Sequence, residues 1–208
     1  GVRDVYSNLY YLADQIESYF GDGSAQGLSV KFKVEEKLPG TAGGVKNLEQ
    51  HFDETFIVIS GDLLTDFDLT QALEFHRKRG SIATILLTKI DNPLEYGVVI
   101  TDKSGRIQRF LEKPGWSEVF SDTINTGIYI LEPEVLEFIP PGQDFDFSRD
   151  LFPLLLRERQ PLFGYVADGY WCDVGNIEMY IRAQVDALSG KVRLSIPGEQ
   201  VMPGVWVA

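Results

Sequence analysis

At 208 residues, 44% apolar and 12% aromatic, the chain can bury a full core and holds one good-sized domain, with or without an appendage. Acidic residues outnumber basic ones by 31 to 19, a net charge of -12, which argues against a nucleic-acid backbone or an anionic membrane as partner, because both need a basic face. The single Cys172 excludes an intrachain disulfide and a cysteine zinc cluster and fits a cytoplasmic setting, and no apolar run approaches the ~20 residues of a membrane span. A phosphorylated small molecule stays open, since a few placed cations, backbone amides or a metal can hold one.

Val2 to Asn8 alternates apolar and polar residues as a half-buried strand does, and Leu12 to Phe20 carries apolar residues at helical spacing until "GDG" stops it. Ser29 to Val34 reads as a second strand. "EEKLPGTAGGV" then gives a glycine-rich turn, with a short helix running on through Gln50. Thr55 to Ser60 is a near-continuous apolar strand, the pattern of one buried on both faces. Leu69 to Lys78 reads as helix and Ile82 to Thr88 as strand. This alternation indicates an α/β fold, Rossmann-like, with a mixed and mainly parallel sheet flanked by helices.

The rhythm then changes. Val98 to Thr101 and Ile107 to Glu112 flank the hairpin turn "DKSG", and Thr123 to Leu131 follows as another strand. Helices are expected at 133–138, 149–158 and 176–188. From Leu194, "LSIPGEQVMPGVWVA" has aliphatic residues at short intervals between Pro-Gly pairs, like the opening of a left-handed β-helix of hexapeptide repeats. The expected organisation is therefore a core over 1–190, incomplete at its N-terminus, and a linker with the start of a β-helix over 191–208.

In open α/β sheets ligands gather beyond the carboxyl ends of the strands. Four features sit at such places. "ISGDLL" puts Asp62 at the tip of the most apolar strand, where a plain turn aspartate is the simpler reading. "FLEKP" puts Glu112 and Lys113 at another strand end, where a surface charge pair would do. "INTGIY" places Asn125, Thr126 and Gly127 inside a strand, where glycine suggests close approach of another group. "YWCDVG" sets Asp173 just ahead of the helix from Asn176, in position to cap it.

Taken together and in this order, "PGTAGG", "SGDLL", "EYGVV", "FLEKP", "NTGIY" and "YWCDVGNIEMY" resemble the sugar-1-phosphate nucleotidyltransferases, which make nucleoside-diphosphate sugars. The combination of "NTGIY" and "PGVWV" is most similar to bacterial mannose-1-phosphate guanylyltransferases. The resemblance implies a transfer from a nucleoside triphosphate to a sugar 1-phosphate, with GTP and mannose 1-phosphate the preferred pair. Glucose 1-phosphate with dTTP or UTP is the alternative. It implies that Gly40, Thr41, Ala42, Gly43, Gly44 and Gly61 line the nucleotide, with backbone groups of 40–44 bonding the base edge. Asp62 and Asp173 would hold one Mg2+ between them. Lys113 would pair with the sugar phosphate, and Asp62, Lys113 and Asp173 would be the catalytic set. Glu112, Asn125, Gly97 and Gly127 would bind sugar hydroxyls. A homo-oligomer through the tail is a further implication.

One family signature is missing: no glycine-rich phosphate loop close to G-x-G-T-R-x-x-P occurs between Gly1 and Ala208. The expectation is a piece of a longer enzyme, active in the intact parent and with little or no activity alone. Two rivals remain. "DFD" at 66–68 and 144–146 could bind a metal and a sugar nucleotide as in glycosyltransferases, although Asp68 reads better as a helix cap. A regulatory subunit that binds a sugar nucleotide without turning it over is the other. His51 and His76 are expected on solvated helix faces, Tyr170 and Trp171 beneath Asp173, and Cys172 buried and inert.

Overall fold

The computed structural model describes residues 1–112, 115 and 121–207. In chain order the elements are β1 (Asp4–Leu9), α1 (Ala13–Phe20), β2 (Ser29–Val34), α2 (Thr41–Lys46), β3 (Phe56–Ile59), β4 (Leu63–Thr65), α3 (Leu69–Arg79), β5 (Ala83–Lys89), β6 (Gly97–Thr101), β7 (Ile107–Glu112) and β8 (Thr123–Leu131). They continue with α4 (Phe152–Arg157), β9 (Leu162–Val166), β10 (Trp171–Asp173), α5 (Ile177–Leu188), β11 (Glu199–Met202) and β12 (Val205–Val207). Contacts divide the chain into two units, Gly1–Glu54 with Pro133–Leu155, and Thr55–Glu132 with Leu156–Ala208.

In the first unit β1 and β2 pair in parallel, Asp4 opposite Ser29 through Leu9 opposite Val34. The segment read as a glycine turn is the helix α2 itself, with Gly43 and Gly44 inside it. Glycine is a poor helix former, but a Cβ on Gly43 would stand 2.9 Å from the Gln143 carbonyl oxygen. Gly40, at φ 75, would drive one to 2.5 Å from the Phe145 carbonyl. The bare backbone lets α2 lie against residues 143–145. Residues 133–138 form a 3-10 helix, and a π-helical turn over Phe147–Leu151, capped by Asp146, leads into α4. Phe147, Leu151, Phe152 and Leu155 are buried in this part of the chain.

The second unit is built on a six-stranded mixed sheet in the order β7-β6-β8-β5-β9, with β3 also on β8. Strand β8 is antiparallel to β3, β5 and β6, β5 is parallel to β9, and β7 is antiparallel to β6. Thus β3, β5, β6 and β9 share one direction, with β8 and β7 reversed. Strand β5 is buried from Ala83 to Leu87, as its apolar run requires. On one face lies α3, started by the Asp68 carboxylate on the Thr70 and Gln71 amides and ended by Gly80 at φ 58. Ala72 of α3 packs with Leu86, Ile128 and Ile130 of the sheet and with Phe67 and Ala167.

Strand β9, "LFGYV", escapes a sequence reading because Gly164 interrupts it, while β4 and β10 are too short to show a period. The tail hairpin of β11 and β12 is antiparallel, so residues 199–207 do not themselves form the coil of a β-helix. Among the described residues no helix is long and apolar enough to cross a membrane.

Candidate active site

Asp62 and Asp173 meet through the ribbon of β4 and β10. The two strands pair antiparallel, Trp171 opposite Thr65, Cys172 opposite Leu64 and Asp173 opposite Leu63. One step further the Val174 N–H donates to the Asp62 carbonyl at 2.9 Å. The two aspartates so placed border one cleft of about 180 Å3 with Ser60, Tyr96, Asn125 and Gly127. Asp62 is exposed and Asp173 half-buried.

The floor of the cleft is a bulge in β8. Against β5, Asn125 lies opposite Leu87 and Tyr129 opposite Ile85, so Thr126, Gly127 and Ile128 stand against Leu86 alone. Gly127 takes φ 77, and a Cβ there would come within 2.9 Å of Ser60 Oγ; only glycine suits such a position. The bonds that the ladder loses are replaced. Thr126 Oγ1 donates to the Leu86 carbonyl at 2.7 Å, Trp171 Nε1 to the Thr126 carbonyl at 3.0 Å, and the Ser60 N–H to the Gly127 carbonyl at 3.1 Å. Asn125 Oδ1 accepts from the Gly127 N–H at 3.0 Å while its Nδ2 donates to the Tyr129 hydroxyl at 3.1 Å. These bonds fix which way the Asn125 amide faces.

Tyr96 is the site residue that the sequence reading left without a role, although "EYGVV" stood among its motifs. Its ring meets Trp171 edge-on at 5.5 Å. Burial pushes its phenol up from the ordinary value, and the Asp173 and Glu95 carboxylates push the same way. It therefore keeps its proton at neutral pH. Gly97 opens β6 directly opposite Glu112 in register, with the Glu112 side chain folded across it. Lys113 lies outside the described residues. Gly61 precedes Asp62 and has open space where a side chain would stand.

Gly40, Thr41, Ala42, Gly43 and Gly44 belong to the first unit, and three of their amides are already engaged. The Ala42 and Gly43 amides both donate to the Phe145 carbonyl at 2.9 Å, and the Gly44 amide closes the helix on Gly40. Those N–H groups are therefore not available as donors to a base edge.

The two "DFD" segments are also accounted for. Asp68 caps α3, Asp146 accepts from the Ser148 and Arg149 amides, Asp144 pairs with Arg149 at 3.4 Å, and Asp66 is held by Arg193. His76 corrects an expectation. It sits fully buried rather than on a solvated face, Nδ1 2.8 Å from Thr84 Oγ1 and Nε2 2.9 Å from Glu132 Oε1. Four residues on from Ala72, it shares the face of α3 that covers the sheet. His51 is exposed and stacks on Tyr6 at 4.4 Å. Trp171 borders the cleft, whereas Tyr170, expected beneath Asp173 with it, turns to α5, where its hydroxyl donates to Asp186 at 3.0 Å. Cys172 is buried, and that burial pushes its thiol up. The helix cap proposed for Asp173 falls instead to Asn176, which accepts from the Met179 amide at 2.9 Å.

Among the described residues no group of three or more His, Cys, Asp and Glu side chains is arranged to hold a metal. Two carboxylates on one open cleft suit a hard cation that keeps several waters and shares the rest of its shell with phosphate oxygens, as Mg2+ does.

Comparison with known families decides the relationship. The profile of the family described as "Nucleotidyl transferase" matches residues 1–190. The chain belongs to the nucleotidyl transferase family. Curated relatives include the UTP--glucose-1-phosphate uridylyltransferase of Synechocystis sp., 41% identical over 221 residues that cover 99% of this chain and 57% of that protein. The mannose-1-phosphate guanylyltransferase of Mycobacterium tuberculosis is 36% identical, over 91% of this chain and 53% of that protein. The chain thus spans just over half the length of these relatives. Among solved structures, HddC from Yersinia pseudotuberculosis superposes with a TM-score of 0.74 at 27% identity, covering 88% of this chain and 78% of that one. A UDP-glucose pyrophosphorylase complexed with UDP-glucose gives 0.73 at 20% identity, covering 87% of this chain and 79% of that one, a likeness of fold.

Proposed function

We propose that the whole protein transfers a nucleotidyl group from a nucleoside triphosphate to a sugar 1-phosphate, giving a nucleoside-diphosphate sugar and pyrophosphate. The observation that carries this reading is the ribbon pairing that sets Asp62 and Asp173 on one cleft in a member of this family. An oxygen of the sugar phosphate attacks the α-phosphorus in line, a new P–O bond forms, and the bond to the β-phosphate oxygen breaks to release pyrophosphate. Such a transfer asks the protein for positioning and charge neutralisation rather than for covalent chemistry.

Asp62 and Asp173 would hold Mg2+, which when bound neutralises phosphate charge. Asn125, with its amide fixed by Gly127 and Tyr129, is proposed to meet sugar hydroxyls together with Glu112 and the backbone at Gly97 and Gly127. Tyr96 contributes a protonated phenol on the same cleft. On the family resemblance, Lys113 is assigned the sugar phosphate, and Gly40–Gly44 and Gly61 the nucleotide.

For the pair of substrates we favour GTP with mannose 1-phosphate, supported by the relative from Mycobacterium tuberculosis and by a catalytic subunit from Drosophila pseudoobscura pseudoobscura that is 34% identical over 209 residues. The Synechocystis relative at 41% supports UTP with glucose 1-phosphate as the second reading. The same proposal takes 1–190 as the core and 191–208 as a linker toward a β-helix, with a homo-oligomer formed through that tail and a cytoplasmic setting. The boundary at 190 is supported by the family profile, which ends there.

Thermal unfolding with Mg2+ plus, separately, GDP-mannose, UDP-glucose, dTDP-glucose or GTP tests the reading. A ligand at 100 times its Kd adds about 2.7 kcal/mol. A shift with GDP-mannose alone supports the favoured pair, one with UDP-glucose alone replaces it with the second reading, and none with any sugar nucleotide counts against the site.

A further inference from the structure

The ribbon that carries Asp62 and Asp173 has a second end, and Asp66 sits there. Its side chain is 6% exposed. Oδ1 accepts from the Tyr170 N–H at 2.7 Å, and Oδ2 accepts from the Arg193 N–H at 2.9 Å and from Arg193 Nε at 3.1 Å. Arg193 Nη2 donates to the Asp66 carbonyl at 3.0 Å. The Asp66 N–H and the Thr65 hydroxyl both donate to the Tyr170 carbonyl, at 3.2 and 2.9 Å. Tyr170 passes the connection on, because its hydroxyl donates to Asp186 of α5, 3% exposed, which Lys191 also holds. Two nearly buried carboxylates therefore grip residues 191 and 193 of the segment that follows α5.

Strands β4 and β10 have three residues each, so about 10 Å separates the two ends of the ribbon. A pair this short is marginal by itself, and no tight turn joins its strands to fix their register. What holds it are clamps: the Val174–Asp62 bond at one end, the Trp171 indole on the bulge, and the Asp66–Arg193 knot at the other end. Removing the guanidinium leaves a buried carboxylate without its counter-charge, a costly state that the ribbon relieves by moving Asp66 toward water. Because clamps rather than length fix the register of the pair, a movement of Asp66 is passed along its three paired positions to the Asp62 and Asp173 end.

We propose that Arg193, with Lys191 behind it, is a positioning residue for the Asp62–Asp173 pair: the knot at the far end of the ribbon sets the spacing at which the two carboxylates meet a divalent cation. This rests on the reading of Asp62 and Asp173 as the cation ligands.

The test uses Mn2+ as the probe, titrated into the 208-residue chain well below its melting temperature and followed by the electron paramagnetic resonance of free Mn2+, with circular dichroism on every variant. Wild type binds and Asp173→Asn does not. Arg193→Gln binds about tenfold more weakly, in the range found for groups that orient a ligand from behind, and Arg193→Lys recovers part of the loss. A purely structural role would lower the melting temperature and leave Mn2+ affinity unchanged. If Asp173→Asn weakens binding while Arg193→Gln leaves it intact, the inference is overturned and the site reading stands. If wild type and Asp173→Asn behave alike, the site reading fails and takes the inference with it. Should Arg193→Gln not fold, Lys191→Met decides: weaker Mn2+ binding supports the coupling, and unchanged binding overturns it.

Discussion

Thr126 Oγ1 donates to the Leu86 carbonyl at 2.7 Å, and so fills the gap in the β5–β8 ladder that the bulge opens. Both residues are buried. Thr126→Val keeps the shape of the side chain and orphans that carbonyl, at an expected cost of about 1–3 kcal/mol. Thr126→Ser keeps the hydroxyl and loses less. Urea unfolding of the two variants side by side checks it; equal loss would mean that the methyl, and not the bond, matters.

Gly127→Ala meets two obstacles at once, φ 77 and Ser60 Oγ 2.9 Å from the new carbon. The left-handed backbone alone costs about 1–2 kcal/mol. Because Ser60 borders the same cleft, the variant is expected to lose the thermal shift produced by a sugar nucleotide as well as stability. A destabilised protein with its ligand shift intact would separate the bulge from the binding site.

Asp62→Asn and Asp173→Asn, made in the full-length protein, are expected to lower the rate of pyrophosphate release at least about 10²-fold, the scale seen when one charge-stabilising group is removed. Asp68→Ala, at a residue that does not border the cleft, should cost about 1 kcal/mol of stability through loss of the α3 cap and leave the rate unchanged. A rate defect from Asp68→Ala would revive a role for the D-x-D segment in chemistry.

Burial holds the His76 imidazole below its ordinary value, with the Glu132 carboxylate pulling the other way through a hydrogen bond. A base depressed by folding binds its proton more readily in the unfolded chain. Its contribution is therefore complete above the unfolded value of about 6.5 and is lost as pH falls from there toward the depressed folded value. Unfolding free energy from urea titrations is expected to be lower at pH 5.5 than at pH 7.5. His76→Gln should flatten that slope, and an unchanged slope would assign it to other groups.

The alternation between Val2 and Thr88 was legible where elements such as β1, β2, α3 and β5 are long enough to show a period or an apolar run. Asp62, Asn125, Gly127 and Asp173 could be singled out because each sits in a short motif, the aspartates at strand ends and Asn125 and Gly127 within β8. What the sequence hid has physical causes. The helix at 41–46 runs against the propensity of Gly43 and Gly44, and only packing against residues 143–145 explains it. The burial of His76 depends on Thr84 of β5 and on Glu132, which lies just past β8 and far from His76 in sequence. Asp66 and Arg193 are 127 positions apart, and neither carries a local pattern. Strands of three residues such as β4 and β10 have no period to read.

Strand β8 takes β5 along one edge and divides the other between β3 and β6, a division made at Gly127. During synthesis from the N-terminus, β3 and β5 emerge well before the strand that must lie between them. Leu131 is the residue opposite both Phe56 and Ala83, so neither strand can complete its pairing until the chain has grown that far. Contacts this distant in sequence slow folding, and the apolar edges of β3 and β5 stay open to chaperones until β8 arrives.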